Sequence, residues 1–243
     1  MDDSTKFIPL FRPGTRIYLN RFGSDRGGTI ALYGKLKSSS KIVAISHGHV
    51  IQKGQLAYTD HNTEREELGR AIHPPSDVFQ AHPGELSLVE VSNEEVRLFL
   101  NEAREQHKKV VIYSGETAAL YKKKVAKFGS GTQRTVGFIV EANLETGLLG
   151  DSCDGILIEE QNKGVFAKRG DSGALAYIPG RNHITGISLI FADYGQLPDH
   201  GNTVITAKLH DCKRNYQINN DEVIEIESDY GLSLMGNTQS SNQ

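Results

Sequence analysis

Gly170-Asp171-Ser172-Gly173 stands directly before a small apolar run, Ala174-Leu175-Ala176. A nucleophilic serine needs a tight turn that exposes its oxygen. It also needs backbone N–H groups aimed at a developing oxyanion. A glycine two residues ahead lets the backbone approach without a Cβ clash. The amides of Gly170 and Ser172 are the natural pair, and Asp171 would steady the turn or a buried cation. The same four residues would also make a plain glycine-rich hairpin, so the rest of the chain must supply the chemistry.

A serine hydroxyl stays protonated near neutral pH and requires a base. The chain holds nine histidines. KIVAISHGHVI offers His47 and His49 where a strand runs into a bend, with Val50 and Ile51 to anchor the backbone. His61, His73, His82, His107, His183, His200 and His210 are scattered and read as surface or structural residues. A third group should orient the base and favour its cation. Glu85, opening the alternating stretch ELSLVEV, suits that role, with Asp60 and Asp77 as rivals. The plain alternative for Glu85 is a solvent-facing strand residue. His-Gly-His would also put two rings on one side of a strand, as a metal site does. Zinc needs three or four protein ligands, and His73, His82, Cys153 and Cys212 form no compact pattern with the pair. No metal or cofactor is expected.

These residues must be positioned by short elements. IALYG, KIVAIS, ELSLVEV, VVIYS, VGFIVEA, GILIEE, GALAYI, HITGISLIFA and NTVITAKL read as strands bounded by turn signals. Their spacing predicts an all-β sandwich or barrel system. SNEEVRLFLNEAREQHKK, residues 92–109, breaks the pattern: Val96, Phe99, Leu100 and Ala103 recur at helical spacing. This predicts a connector helix, capped by Ser92 or Asn93, between β units at 26–91 and 110–210. Residues 1–25 read as an N-terminal extension and 211–243 as a C-terminal one. In the latter DEVIEIES would add a strand, and the last nine residues are expected to be disordered. KKKVAKF reads as a solvated edge or loop.

Composition narrows the partners. The chain has 243 residues, 23% charged and 37% hydrophobic, with a formal net charge of -3. No basic field points to nucleic acid or an anionic membrane. No apolar run is long enough to span a bilayer. The acidic start and short apolar stretch of MDDSTKFIPLFRPG do not suit a signal peptide. Two well-separated cysteines make no disulfide framework, so a reducing, cytoplasmic setting is expected.

The pattern as a whole resembles the chymotrypsin-fold serine peptidases, in an intracellular or bacterial-like branch without the usual disulfides. Gly48-His49-Val50 is similar to their base motif, Glu85-Leu86-Ser87-Leu88 to their acid strand, and Gly170-Asp171-Ser172-Gly173 to their nucleophile loop without change. Thr185-Gly186-Ile187-Ser188 and Asn202-Thr203-Val204-Ile205 resemble later strands. Gly131, Thr132 and Gly137 match a spacing at the opening of the second barrel.

The resemblance implies two packed six-stranded Greek-key β-barrels with a connecting helix. It implies a His49–Glu85–Ser172 triad and an oxyanion hole of Gly170 and Ser172 amides. It implies a side-chain pocket bordered by Phe166, Ser188, Leu189, Ile190 and Phe191, apolar or shallow, on a polypeptide substrate. Glu85 replaces the usual Asp. No cleavable start resembling Ile-Val-Gly-Gly is present, so Asp171 requires a partner other than a new N-terminus. Two other classes compete: an inactive scaffold on the same fold serving as a binding or regulatory module, and an ester hydrolase. The second lacks a G-x-S-x-G elbow. A regulatory protein partner that orders the site is compatible with either the enzyme or the scaffold.

Overall fold

The computed structural model describes residues 14–22, 26–61, 64–74, 84–94, 96–98, 109–144, 153–162, 164–181, 183–193 and 203–226. Among the described residues, fifteen strands follow in chain order: β1 Arg16–Tyr18, β2 Gly27–Thr29, β3 Leu32–Leu36, β4 Ile42–His47, β5 Leu56–His61, β6 Glu64–His73, β7 Leu86–Val91, β8 Lys109–Ile112, β9 Lys124–Gly129, β10 Gln133–Leu144, β11 Gly155–Glu160, β12 Leu175–Pro179, β13 His183–Asp193, β14 Thr203–Lys208 and β15 Ile224–Ile226. A helix, Leu209–Asn220, joins β14 to β15.

The strands form two large sheets. The second unit closes: β12-β9-β10-β11-β14-β13 runs in order and β12 pairs back to β13, making a six-stranded barrel. β8 adds a seventh strand to it, parallel to β13. The first unit differs from the expected six-stranded barrel. It is an open eight-stranded half-barrel, β15-β3-β4-β7-β6-β5-β1-β2. It takes β1 from before residue 26 and β15 from the far end of the chain. These two elements are three residues long, too short for alternation to place them in a sheet.

Three apolar layers follow from strand alternation. On β4, Val43 and Ile45 belong to a core layer shared with Leu175, Leu189 and Ile205 of the second unit. Ala44 faces the interior of the first unit with Tyr33 and Val89. Side chains on a strand alternate between faces, so His47 is directed with Val43 and Ile45 toward the shared layer. A third layer, including Val125, Ile139, Phe166 and Ile187, fills the closed barrel. Residues 94 and 96–98 are helical and Val96 is buried. Of the expected connector helix 92–109, Ser92 and Asn93 precede the helical residues, with Asn93 Oδ1 accepting from Val96 N–H at 3.2 Å, and Lys109 instead opens β8. Residues 95 and 99–108, and the expected disordered end, lie outside the described residues.

Candidate active site

The glycines of the Gly-Asp-Ser-Gly loop are required by geometry. Gly170 has φ +100 and Gly173 φ +86, a region that residues with a Cβ avoid. A Cβ on Gly173 would sit 2.0 Å from Ser46 Oγ and 2.7 Å from the Thr29 carbonyl oxygen. The loop therefore lies directly on β2 and β4. Thr29 N–H donates to the Ser172 carbonyl at 2.8 Å. The Gly170 carbonyl accepts from Thr29 Oγ1 and Ser130 Oγ, each at 2.7 Å.

These bonds determine which amides are occupied. Asp171 N–H donates to the Lys168 carbonyl, Gly173 N–H to that of Ile190 and Ala174 N–H to that of Asp171, at 2.8–2.9 Å. Among the described residues, no protein acceptor takes the N–H of Gly170 or of Ser172.

Asp171 is fully buried, and its carboxylate is saturated. Oδ1 accepts from the amides of Gly131 at 2.7 Å and Thr132 at 3.2 Å. Oδ2 accepts from Thr132 Oγ1 at 2.7 Å and Lys168 N–H at 3.0 Å. Lys127 Nζ completes the set, 3.1 Å from Oδ2 with both side chains wholly shielded from solvent. Lys127 also donates to Thr132 Oγ1 and, at 3.3 Å, to the Gln133 carbonyl. Burial pulls its ammonium below the ordinary pKa, and the Asp171 charge opposes that shift. This lysine belongs to the KKKVAKF run. The edge-or-loop reading of this run is corrected: Lys124–Gly129 is β9, paired on both sides by β10 and β12 and mostly buried, so the solvated reading fits the exposed Lys122, Lys123 and Lys124 but not Lys127.

The histidines stand where β4 ends. His47 is wholly buried. His49 keeps part of its ring in solvent, yet its packed surroundings desolvate the cation and lower its pKa to about 4. The two Nδ1 atoms meet at 2.8 Å. Phe191 lies against both rings, with centroids 5.1 Å from His47 and 5.5 Å from His49. Between the histidines, Gly48 N–H donates to the Glu85 carbonyl at 2.8 Å. A Cβ on Gly48 would lie 2.9 Å from that of Glu85. Glu85 is half-buried, with Oε2 shielded from solvent. Among the described residues, no hydrogen bond joins His49 to Ser172 Oγ, and the His49 ring pairs through Nδ1 with His47.

Solved structures with this arrangement of strands are available for comparison. Thermobifida fusca Protease A superposes with a TM-score of 0.54 at 12% identity, covering 89% of this chain and 98% of that one. This is the chymotrypsin fold. Nocardiopsis Protease gives a TM-score of 0.52 at 14% identity over 88% of this chain and 98% of that one. Cellulomonas bogoriensis chymotrypsin gives 0.52 at 14% over 89% and 97%. No family model and no curated protein matches the sequence.

Within this chymotrypsin fold, the sequence-derived residues divide into two groups. The Gly170–Gly173 loop packs on β2 and β4, with Gly173 beside Ser46 and the His47 amide, and Glu85 lies beside Gly48, the residue before His49. Of the expected pocket residues, Phe166, Ser188, Leu189 and Ile190 are buried. Phe166 offers its carbonyl to Thr135 Oγ1 at 2.7 Å, and Ser188 Oγ accepts from Thr206 Oγ1 at 2.7 Å. Phe191 alone of the five is partly exposed.

Asp60 is engaged elsewhere, accepting from Tyr18 O–H at 2.6 Å. Asp77 and His82 lie outside the described residues. His73 packs edge-on against Tyr216, with centroids 4.9 Å apart, and Cys153 Sγ lies 3.8 Å from Cys212 Sγ. Among the described residues, no three His, Cys, Asp or Glu side chains gather as a metal site, and no helix is long and apolar enough to cross a membrane. Lys127 was not singled out by the sequence reading, because it follows the exposed run Lys122–Lys124. His47 was offered beside His49 as a base or metal candidate, but not as its hydrogen-bond partner.

Proposed function

We propose that this chain is a serine endopeptidase that hydrolyses peptide bonds through an acyl-enzyme. The observation that carries this reading is the pair of amides, Gly170 and Ser172, which no acceptor among the described residues takes, flanking an aspartate whose hydrogen bonds fix the loop. Preorganised N–H donors of this kind supply a large share of acyl-transfer catalysis. Ser172 Oγ attacks the substrate carbonyl while His49 takes its proton at Nε2. The two amides receive the oxyanion. His49 returns the proton to the leaving amine, then activates water to release the acyl group. Glu85 is the nearby carboxylate that favours the imidazolium.

The substrate is a polypeptide. Phe166, Ser188, Leu189 and Ile190 are withdrawn into the barrel, and Phe191 is laid across the histidines. This favours a shallow apolar surface taking a medium apolar side chain, with no anionic floor for Lys or Arg. A second reading, an inactive scaffold that binds protein partners, is favoured by the bond from His49 Nδ1 to another imidazole in place of a carboxylate.

Labelling with a fluorophosphonate probe separates the two. The peptidase reading expects labelling that Ser172→Ala abolishes and His49→Ala weakens. A folded protein that does not label refutes it and leaves the scaffold.

A further inference from the structure

We infer that His47 is the positioning residue of the base: its buried ring accepts the Nδ1–H of His49 and holds it in the tautomer that leaves Nε2 unprotonated. The inference deepens the serine-hydrolase reading above and rests on it.

An apolar side chain would fill the position of His47 more simply. Val43 and Ile45, four and two residues earlier on the same face of β4, pack into the layer between the two units. Burying a polar ring there is unfavourable unless its nitrogens are satisfied. His47 is nevertheless wholly buried, and its Nδ1 lies 2.8 Å from that of His49. At that separation one nitrogen carries hydrogen and the other presents a lone pair.

Two assignments satisfy the bond. If His47 donates, the His49 proton sits on Nε2, and His49 cannot accept from a serine. If His49 donates, its Nε2 lone pair is available, and His47 carries its own proton on Nε2. Only the second assignment gives a base. His47 thus does for His49 what a triad carboxylate does for its histidine in fixing the tautomer. The mount is rigid: ring centroids lie 4.8 Å apart, Phe191 braces both rings, and the intervening Gly48 amide is pinned to the Glu85 carbonyl. Glu85 is the titratable neighbour from the β7 side, and Phe191 is the apolar one from β13. When His49 takes the serine proton, its Nδ1–H still has a neutral acceptor, and Glu85 provides the negative charge nearby.

Two experiments decide this. The first needs no activity: Ser172→Ala protein with 15N-labelled histidine is examined by NMR. A nitrogen–nitrogen coupling through the hydrogen bond between His47 and His49 Nδ1 is expected, with the proton assigned to His49. Two Nδ1 resonances without coupling in a folded sample overturn the inference. The second compares fluorophosphonate labelling rates of folded variants. His47→Leu is expected to lose at least about 100-fold, by analogy with loss of a tautomer-fixing partner. His47→Asn, whose Oδ1 can accept Nδ1–H, is expected to recover at least about tenfold of that. A His47→Leu rate within about threefold of the parent's overturns the inference. If the parent does not label, the hydrolase reading fails, and the NMR experiment still decides the pairing.

Discussion

Lys127→Met would remove the buried cation beneath the nucleophile loop while keeping most of the side-chain volume. Breaking a buried ion pair by deleting one partner typically costs about 3–5 kcal/mol, because the surviving charge is left uncompensated. Here Asp171 would keep four donors, from Gly131, Thr132 twice and Lys168. Those bonds place the expected loss near the lower end, about 3 kcal/mol. Adding Asp171→Asn removes the stranded charge and retains an acceptor for the Gly131 and Thr132 amides. The double variant is therefore expected to regain about 1–2 kcal/mol over Lys127→Met alone, the coupling typical of residues in one network.

Stability and function should separate in this pair. Burial lowers the Lys127 pKa despite the adjacent carboxylate, so the pair's role is to hold the loop more than to add stability. Urea midpoints would report the first quantity and the fluorophosphonate labelling rate the second. The double variant should stay folded and label poorly. If Lys127→Met loses less than about 1 kcal/mol and labels at the parent rate, the pair does not organise the site.

Gly173→Ala should destabilise by at least about 2 kcal/mol, from the left-handed backbone and the Ser46 contact 2.0 Å away. Thermal unfolding would measure it, and a neutral result would show that the loop shifts freely. The labelling rate should hold as pH falls through 6.5 and decline only near 4, since desolvation by the atoms packed around the exposed His49 ring lowers its pKa to about 4 and protonation removes the base. A decline centred near 6.5 would refute that. His73 is likewise lowered to about 4, by burial and then by Lys53. Its neutral form supports the fold above the ordinary histidine pKa, so stability should drop as pH falls from about 6.5 to about 4, by at most about 3 kcal/mol for this group. His73→Gln should flatten that slope in urea titrations at several pH values.

Nine strands, β3, β4, β7, β8 and β10 to β14, are legible in the sequence because they alternate or run apolar, whereas β5 and β6, which carry Asp60, Glu64, Arg65, Glu66 and Glu67, are not, and β9 reads as an edge or loop. The sequence also conveyed the strand in DEVIEIES, now β15, and the need for glycine at position 170, though the structure requires that glycine for its φ of +100 rather than for close approach, which belongs to Gly173. It did not convey the pairing of β1, β2 and β15, which are three residues each, nor the open form of the first sheet. Phe191 illustrates a different limit. The β13–β14 register shifts between Ile190 and Ala192, and such an irregularity re-aims a side chain. Simple alternation from Ser188 onward cannot anticipate that Phe191 turns to the histidines. His47 and His49 were recognised as a pair facing one way, but spacing alone cannot distinguish shared metal ligands from a hydrogen bond between two rings. Lys127 was hidden by its company: three exposed lysines precede it, and only the closed barrel shows that the fourth points inward.

The pairing of β15 with β3 has a consequence for biosynthesis. Ile224 lies opposite Leu36, Lys37 N–H bonds to the Val223 carbonyl at 2.9 Å, and Ser38 N–H to Glu222 Oε1 at 3.1 Å. A ribosome delivers the β3 edge early and its partner only after the entire second barrel. Until residue 226 emerges, the first half presents an unpaired strand edge, the kind of template that recruits other chains. Nascent or truncated forms ending before the helix at Leu209–Asn220 would thus be the ones that need a chaperone, and the last strand would act as the latch that ends that exposure.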